Sequence, residues 1–126
     1  MNNSILIIDI DESFVNQCKE HLESLGIDVI VSHDGVDGLN RAREINPAIV
    51  LLDIKLPFLD GYHLCKLLKG DEEFQYIPVV FLSSTEEPED ILNTKRVGGD
   101  LFLRKPIDMV HLTNELITLL SPEAMA

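Results

Sequence analysis

Apolar residues recur along the chain in two alternating patterns, short uninterrupted runs and longer stretches with helical spacing. The short runs have the length of β-strands, and the longer stretches place apolar side chains on one face of a helix. The predicted strands cover residues 5–8, 27–31, 49–52, 79–82 and 101–103. The pattern therefore predicts five β–α units in succession.

The helices are predicted from their apolar faces and from the residues that end them. The first helix ends at Gly26 and carries on one face Phe14, Val15, Cys18, Leu22 and Leu25. The other helices cover residues 36–45, 62–69, 88–97 and 109–120. The last of them turns toward the core Leu112, Leu116, Leu119 and Leu120.

The central runs, 49–52 and 79–82, are apolar at every position rather than at alternate positions. Strands that are buried on both faces need this pattern, so we expect a parallel sheet with helices on both sides. Right-handed crossovers then give a doubly wound α/β domain. Ligands of such sheets bind beyond the carboxyl ends of the strands, so we expect the functional residues to lie there.

The composition narrows the class of protein further. The chain has 126 residues, with 10 Lys plus Arg against 22 Asp plus Glu, a formal net charge of −12. This length predicts a single domain, and the excess of acid argues against direct binding to a nucleic-acid backbone. No apolar run reaches the roughly 20 residues that span a bilayer, so we expect no membrane insertion. Cys18 and Cys65 are predicted to be buried thiols, and the N-terminus lacks the basic residues of a secretory signal, so we expect a cytoplasmic location.

Chemically distinctive residues follow four of the predicted strands. In chain order they are Asp9 with Asp11 close behind, Asp53, Ser83 and Lys105. Taken singly, each fits an ordinary role, such as a serine at 83 or 84 that caps the fourth helix. Together they place carboxylates, a hydroxyl and an ammonium at one edge of the sheet. This combination suits Mg²⁺ binding and phosphoryl transfer to a carboxylate.

Four segments carry a resemblance to a known family: ILIID at 5–9, IVLLDIKLPFLDG at 49–61, VVFLSS at 79–84 and GGDLFLRKP at 98–106. With these motifs at this spacing, the chain resembles the receiver domain of two-component response regulators, a chemotaxis-regulator-like domain. The resemblance implies a flavodoxin-like (βα)5 fold with strand order 2-1-3-4-5. It also implies a receiver domain over residues 1–121 and a short tail over 122–126, with no effector domain.

The resemblance implies a role for each residue at this edge of the sheet. Asp53 matches the phosphoacceptor, Ser83 the hydroxyl that binds the phosphoryl group, and Lys105 the lysine that pairs with it. Asp9, Asp53 and the backbone carbonyl of Lys55 match the ligands of Mg²⁺. The implied cofactor is therefore a magnesium ion.

The implied function is a phosphorelay switch. A histidine kinase or phosphotransfer protein would donate the phosphoryl group, and a downstream protein or effector domain would bind the face of helix 4, strand 5 and helix 5. Ser83 and Phe102 match the residues whose movement couples the two events. We expect no enzymatic activity, because Lys55 stands where aspartate-based phosphohydrolases place a general acid.

One position departs from the family pattern. The family places a second acid directly after the first, as a ligand of Mg²⁺, and here that residue is Ile10. Two alternatives follow from the missing oxygen. Either Asp11 swings in from the loop and restores a carboxylate, or the affinity for Mg²⁺ is lowered. In the second case the chain is a pseudo-receiver, a protein-interaction module with weak or no phosphorylation.

Acidic residues are concentrated in one stretch of the chain. Between Gly70 and Thr94 there are seven acids and neither Lys nor Arg. A solvated surface explains such a stretch, and a docking surface for a basic partner segment is the functional alternative. Exposure of Phe74 and Tyr76 beside these acids would favour docking.

Overall fold

A computed structural model of the chain describes residues 4–84 and 87–120. In this range five strands alternate with five helices. The strands are β1 Ser4–Ile8, β2 Asp28–Ser32, β3 Ile49–Asp53, β4 Val79–Ser83 and β5 Leu101–Arg104. The helices are α1 Glu12–Ser24, α2 Gly35–Ile45, α3 Gly61–Lys69, α4 Pro88–Arg96 and α5 Met109–Leu120. The predicted tail, 122–126, lies outside the described residues.

The strands form one sheet in the order β2-β1-β3-β4-β5, and every pair is parallel. The predicted doubly wound α/β fold and its strand order are confirmed. β1 lies between β2 and β3, with Ile8 beside both Ser32 and Leu52. Because parallel strands end at the same edge, the residues that follow β1, β3, β4 and β5 meet at one side of the domain.

Two apolar layers cover the sheet. Ile5 and Ile7 face one layer, which contains residues of α1 and α5, whereas Leu6 and Ile8 face the other, which contains residues of α2 and α3. All four side chains are fully buried, as the uninterrupted apolar runs predict. Cys18 is buried in the first layer and Cys65 in the second, as predicted.

Several element boundaries and faces differ from the expectations. β2 runs one residue later than predicted, because Ser32 still pairs with Ile8. Leu25 is the C-cap of α1 and is 52% exposed, so its predicted place on the buried face is wrong. Leu119 and Leu120 are only half-buried. Glu87 is the N-cap of α4, so the alternative that a serine at 83 or 84 caps this helix is also wrong.

Within residues 4–84 and 87–120, no helix is long and apolar enough to cross a bilayer.

Candidate functional site

Three side chains from separate strands meet at the carboxyl edge of the sheet. Asp9 follows β1 and is fully buried, whereas Asp53 ends β3 and keeps 17% of its side chain exposed. Lys105 follows β5 and reaches across both, with its Nζ 2.6 Å from Asp9 Oδ2 and 3.9 Å from Asp53 Oδ2. Of the two carboxylates, only Asp53 is therefore open to an incoming group.

The charges at this edge do not balance, because one ammonium faces two carboxylates. Burial and, after it, the neighbouring Asp9 carboxylate raise the pKa of Asp53, which lies at about 6. Lys105 and the backbone N–H groups of Ile54 and Lys55 act in the opposite direction. The surplus of negative charge suits a bound cation, which would neutralise it.

Lys105 is held in place by its surroundings. Its backbone N–H donates to the Ser83 carbonyl at 2.7 Å, which fixes its position relative to β4. Its ammonium lies 4.6 Å from the centre of the Phe14 ring, within cation–π range. The sequence pattern assigns Phe14 to the apolar core only. The missed signal is its position in the first turn of α1, which begins at the edge where the site lies.

His33 is a second residue that the sequence pattern does not assign to the site. Its ring Nδ1 lies 3.0 Å from the carbonyl oxygen of Asp9. Because a carbonyl only accepts hydrogen bonds, Nδ1 is the protonated nitrogen of this ring. His33 directly follows β2, and reading the carboxyl end of that strand with the others would have revealed it.

Asp11 has a structural partner in this conformation. Its carboxylate accepts a hydrogen bond from the Phe14 N–H at 3.1 Å and caps α1. Its own backbone N–H donates to Asp9 Oδ1 at 3.0 Å. To enter the acidic site, the Asp11 carboxylate would have to leave the helix cap, at a cost of about 1 kcal/mol.

Ser83 and Phe102 occupy neighbouring strands on the same face of the sheet. Ser83 ends β4 and is buried, at 6% exposure. Phe81 and Ser83 share a face because they are two residues apart, and Phe102 pairs in register with Phe81. Phe102 is half-buried against the layer that contains α3. A movement of Ser83 would therefore alter the packing on the face of the sheet that Phe102 also occupies.

The turn after β3 brings α3 close to the acceptor. The Asp60 carboxylate caps α3 by accepting from the His63 N–H at 3.0 Å, and the His63 ring Nδ1 lies 2.7 Å from its other oxygen. A Cβ on Gly61 would lie 2.4 Å from the carbonyl oxygen of Asp53, closer than van der Waals contact permits. Glycine at 61 is thus a requirement of the site.

The oxygen atoms present fit Mg²⁺ in part. The carboxylates of Asp9 and Asp53 and the carbonyl of Lys55 are hard donors of the kind Mg²⁺ prefers. Ile10 stands where a further carboxylate would add to them, and its side chain is 54% exposed. Among residues 4–84 and 87–120, no three His, Cys, Asp or Glu side chains are grouped to hold a metal. The fit therefore rests on two carboxylates rather than three.

Known proteins share both the sequence pattern and the fold. The response regulator receiver domain family matches residues 5–117. Protein PilG of Pseudomonas aeruginosa is 34% identical over 108 residues, which are 86% of this chain and 80% of PilG. The polar-differentiation response regulator DivK of Brucella ovis is 30% identical over 109 residues, 86% of this chain and 89% of DivK.

Solved structures of other proteins share this fold. The signal receiver domain of a histidine kinase from Syntrophus aciditrophicus has a TM-score of 0.88 and 29% identity, covering 96% of this chain and 92% of that one. The chemotaxis response regulator CheY4 of Vibrio cholerae, at 22% identity, supports the fold alone, with a TM-score of 0.87 over 94% of this chain and 99% of its own. The chain therefore belongs to the response regulator receiver domain family, whose members act in two-component signalling. Receiver domains are signalling modules rather than enzymes in the usual sense, and they generally bind Mg²⁺ at the phosphorylation site.

Proposed function

We propose that the chain accepts a phosphoryl group on Asp53 from the phosphohistidine of a histidine kinase or phosphotransfer protein. The observation that carries this proposal is the difference in exposure between the two carboxylates. Asp9 is fully buried and bonded to Lys105, while Asp53 is partly exposed and lies 3.9 Å from the same ammonium. Asp53 is thus placed to attack, and Lys105 is placed to hold the anion that results.

The carboxylates of Asp9 and Asp53 and the carbonyl of Lys55 would hold Mg²⁺. When bound, this ion supplies positive charge that offsets the charge of the phosphoryl oxygens. Lys105 orients these oxygens from the side of β5, and the Ser83 hydroxyl donates a hydrogen bond to one of them. The Asp53 oxygen attacks in line with the bond from phosphorus to the donor nitrogen.

The proposed output is a change in the face formed by α4, β5 and α5. Phosphorylation adds roughly 1.5 to 2 negative charges at Asp53. Movement of Ser83 toward the phosphoryl group opens space into which the Phe102 ring turns. The result is a shift between two packings of one fold, which a downstream protein or effector domain reads. We place this activity in the cytoplasm, consistent with the free, buried Cys18 and Cys65.

Labelling with a small phosphodonor tests the proposal without a partner protein. The protein is incubated with phosphoramidate and Mg²⁺, and its intact mass is followed over time. We expect a gain of one phosphoryl group in the wild type and none in Asp53→Asn. A wild type that stays unlabelled at saturating Mg²⁺ would refute phosphoryl acceptance.

The second candidate function is a pseudo-receiver that binds partners without phosphorylation. Ile10 favours it, because an isoleucine supplies no oxygen to the metal. The engagement of Asp11 in the α1 cap also favours it, because that carboxylate is already used. Failure of labelling in the wild type, together with labelling of an Ile10→Asp variant, would show that Ile10 prevents phosphorylation, as this alternative requires.

A further inference from the structure

Ile10 lines a cleft that begins one residue away from each site carboxylate. Most of its wall is apolar, formed by Ile10, Ile54, Leu56, Pro57 and Tyr62. Its remaining lining residues, Lys55 and Asp60, are polar, and its volume is about 610 Å³. Clefts of this size and lining take apolar groups and use a few polar atoms to orient them.

The exposed surface around the cleft is also apolar. Ile10 is 54% exposed, and Phe58, on the loop that supplies Leu56 and Pro57, is 87% exposed. The backbone of Phe58 has φ +69°, a conformation that costs free energy for a bulky residue. Such residues are found where the surroundings hold the loop in a functional shape. The cleft wall includes Ile10 and Ile54, which directly follow Asp9 and Asp53 in the chain.

A cation lies beside the acceptor Asp53, whereas the cleft is mainly apolar. The Lys105 ammonium lies 3.9 Å from Asp53 Oδ2, and Lys55, two residues after Asp53, lines the cleft. An occupant with an anionic phosphoryl group at one end and an apolar body at the other matches both the cation beside Asp53 and the apolar cleft. Phosphohistidine next to an aliphatic or aromatic side chain has this chemistry, because its phosphoryl group is anionic and its neighbour is apolar.

We propose that the cleft binds an apolar side chain of the phosphodonor protein, adjacent to its phosphohistidine, and that Ile10 selects donors through this contact. The proposal rests on phosphoryl acceptance at Asp53. Its physical basis is the removal of apolar surface from water when the donor side chain enters the cleft. The side chain at position 10, where the family has a metal ligand, thus becomes a determinant of donor specificity.

The transfer step is balanced without a further reactant. An Asp53 carboxylate oxygen forms a bond to phosphorus as the bond from phosphorus to the donor nitrogen breaks. The departing imidazole keeps that electron pair and the proton already on its other nitrogen, so it leaves neutral. The apolar group belongs to the donor, so the contact with Ile10 ends when the donor dissociates.

Two synthetic donors test the proposal: phosphoimidazole and its 4-phenyl derivative, which carries an apolar ring where histidine carries its main chain. The second-order labelling rates of both donors are measured with Mg²⁺ for the wild type, Ile10→Ser and Ile117→Ser. Ile117 is a matched control, because it is an isoleucine that is 44% exposed on α5, away from the cleft. The ratio of the two rates within one protein cancels effects of metal affinity.

We expect the 4-phenyl donor to be favoured by at least about 5-fold more in the wild type than in Ile10→Ser. Ile117→Ser should keep the wild-type ratio. An equal ratio in all three proteins would overturn the proposal while leaving phosphoryl acceptance intact, because labelling itself would still be observed.

Binding of unreactive 4-phenylimidazole separates the two claims. Its addition should shift the amide NMR signals of Ile10, Leu56 and Tyr62 in the wild type and leave Ile10→Ser unchanged. If neither donor labels the wild type, phosphoryl acceptance fails, and this titration still decides whether the cleft binds an apolar group. Shifts absent from the cleft, or equal in Ile10→Ser, would overturn the inference.

Discussion

Neighbouring groups act on the pKa of Asp53 in opposite directions. Burial and the Asp9 carboxylate raise its pKa to about 6 from an ordinary value of 3.8, although Lys105 acts in the opposite direction. A carboxyl group whose pKa is higher in the folded state stabilises the fold fully only below the unfolded value. That contribution is lost as the pH rises through about 6. The metal-free protein is therefore destabilised by Asp53 at neutral pH.

Replacing this carboxylate should stabilise the fold. We expect Asp53→Asn to raise the free energy of unfolding by about 1–3 kcal/mol at about pH 7.5, and the gain to shrink toward about pH 4. Urea denaturation in the presence of a chelator measures it. Asp28→Asn, at an exposed residue of β2, is the control and should change little. An Asp53→Asn protein no more stable than the wild type would contradict the charge imbalance.

We propose that Ile10 lowers the affinity of the site for Mg²⁺. Ile10→Asp should strengthen Mg²⁺ binding by about 10- to 100-fold, because it adds a carboxylate oxygen worth about one to a few kcal/mol. Isothermal titration with Mg²⁺ measures the affinity, with Ile117→Asp as the control for added surface charge. Unchanged affinity in Ile10→Asp would show that this position lies outside the metal site.

Most site residues could be predicted because each lies within two residues of the end of a predicted strand. Asp9, Asp53 and Lys105 are brought together in this way. His33 also follows a strand, but a histidine alone gives no chemical pattern in the sequence. The contact between Phe14 and Lys105 depends on the packing of α1 against the sheet edge, which residue spacing does not specify.

At the scale of elements, the Asp11 carboxylate can either cap the N-terminus of α1 or supply an oxygen to the metal site. Its carboxylate is the N-cap of this helix. Asp11→Ala should lower the free energy of unfolding by about 1 kcal/mol, whereas Asp11→Asn, which keeps a capping oxygen, should lower it little. Chemical denaturation of the two variants measures the difference.

Magnesium titration of the same pair tests the compensation hypothesis. Because the carboxylate is engaged in the cap, we expect both variants to bind Mg²⁺ like the wild type. A loss of affinity in Asp11→Asn at unchanged stability would mean that Asp11 does move into the site and supply the missing oxygen.

The start of α3 is fixed against the end of β3 by Gly61. A methyl group there would meet the Asp53 carbonyl oxygen at 2.4 Å. We expect Gly61→Ala to destabilise the fold by about 1–3 kcal/mol and to slow labelling of Asp53 by moving it. Thermal denaturation and the labelling rate measure these effects. Gly70→Ala, at the other end of α3, is the control, and equal behaviour of the two variants would contradict the requirement.

The elements were predictable because their apolar periodicities are strong. The uninterrupted runs of β3 and β4 specify strands buried on both faces, and the apolar residues of both strands are buried in the structure. The errors lie at element ends. Ser32 belongs to β2 because it pairs in register with Ile8 of β1. Leu25 is exposed because α1 ends there. Neither effect is visible in the hydrophobic pattern.

At the scale of the whole molecule, the net charge of −12 is divided between distinct roles. In the acidic stretch after Gly70, Phe74 is buried and Tyr76 is 79% exposed, so only one of the two aromatic residues could support docking. Asp90 accepts a hydrogen bond from the Tyr62 hydroxyl at 3.1 Å and so links α4 to α3. Glu86 lies outside the described residues. Docking of a basic partner segment on this surface remains a hypothesis.

The most direct test of phosphoryl acceptance identifies the labelled residue. After treatment with phosphoramidate and Mg²⁺, borohydride reduction converts an aspartyl phosphate into homoserine, which peptide mass spectrometry locates. We predict homoserine at position 53 and at no other aspartate, and none in Asp53→Asn. Homoserine at Asp9 or Asp11, or its absence from wild-type protein under saturating Mg²⁺, would contradict it.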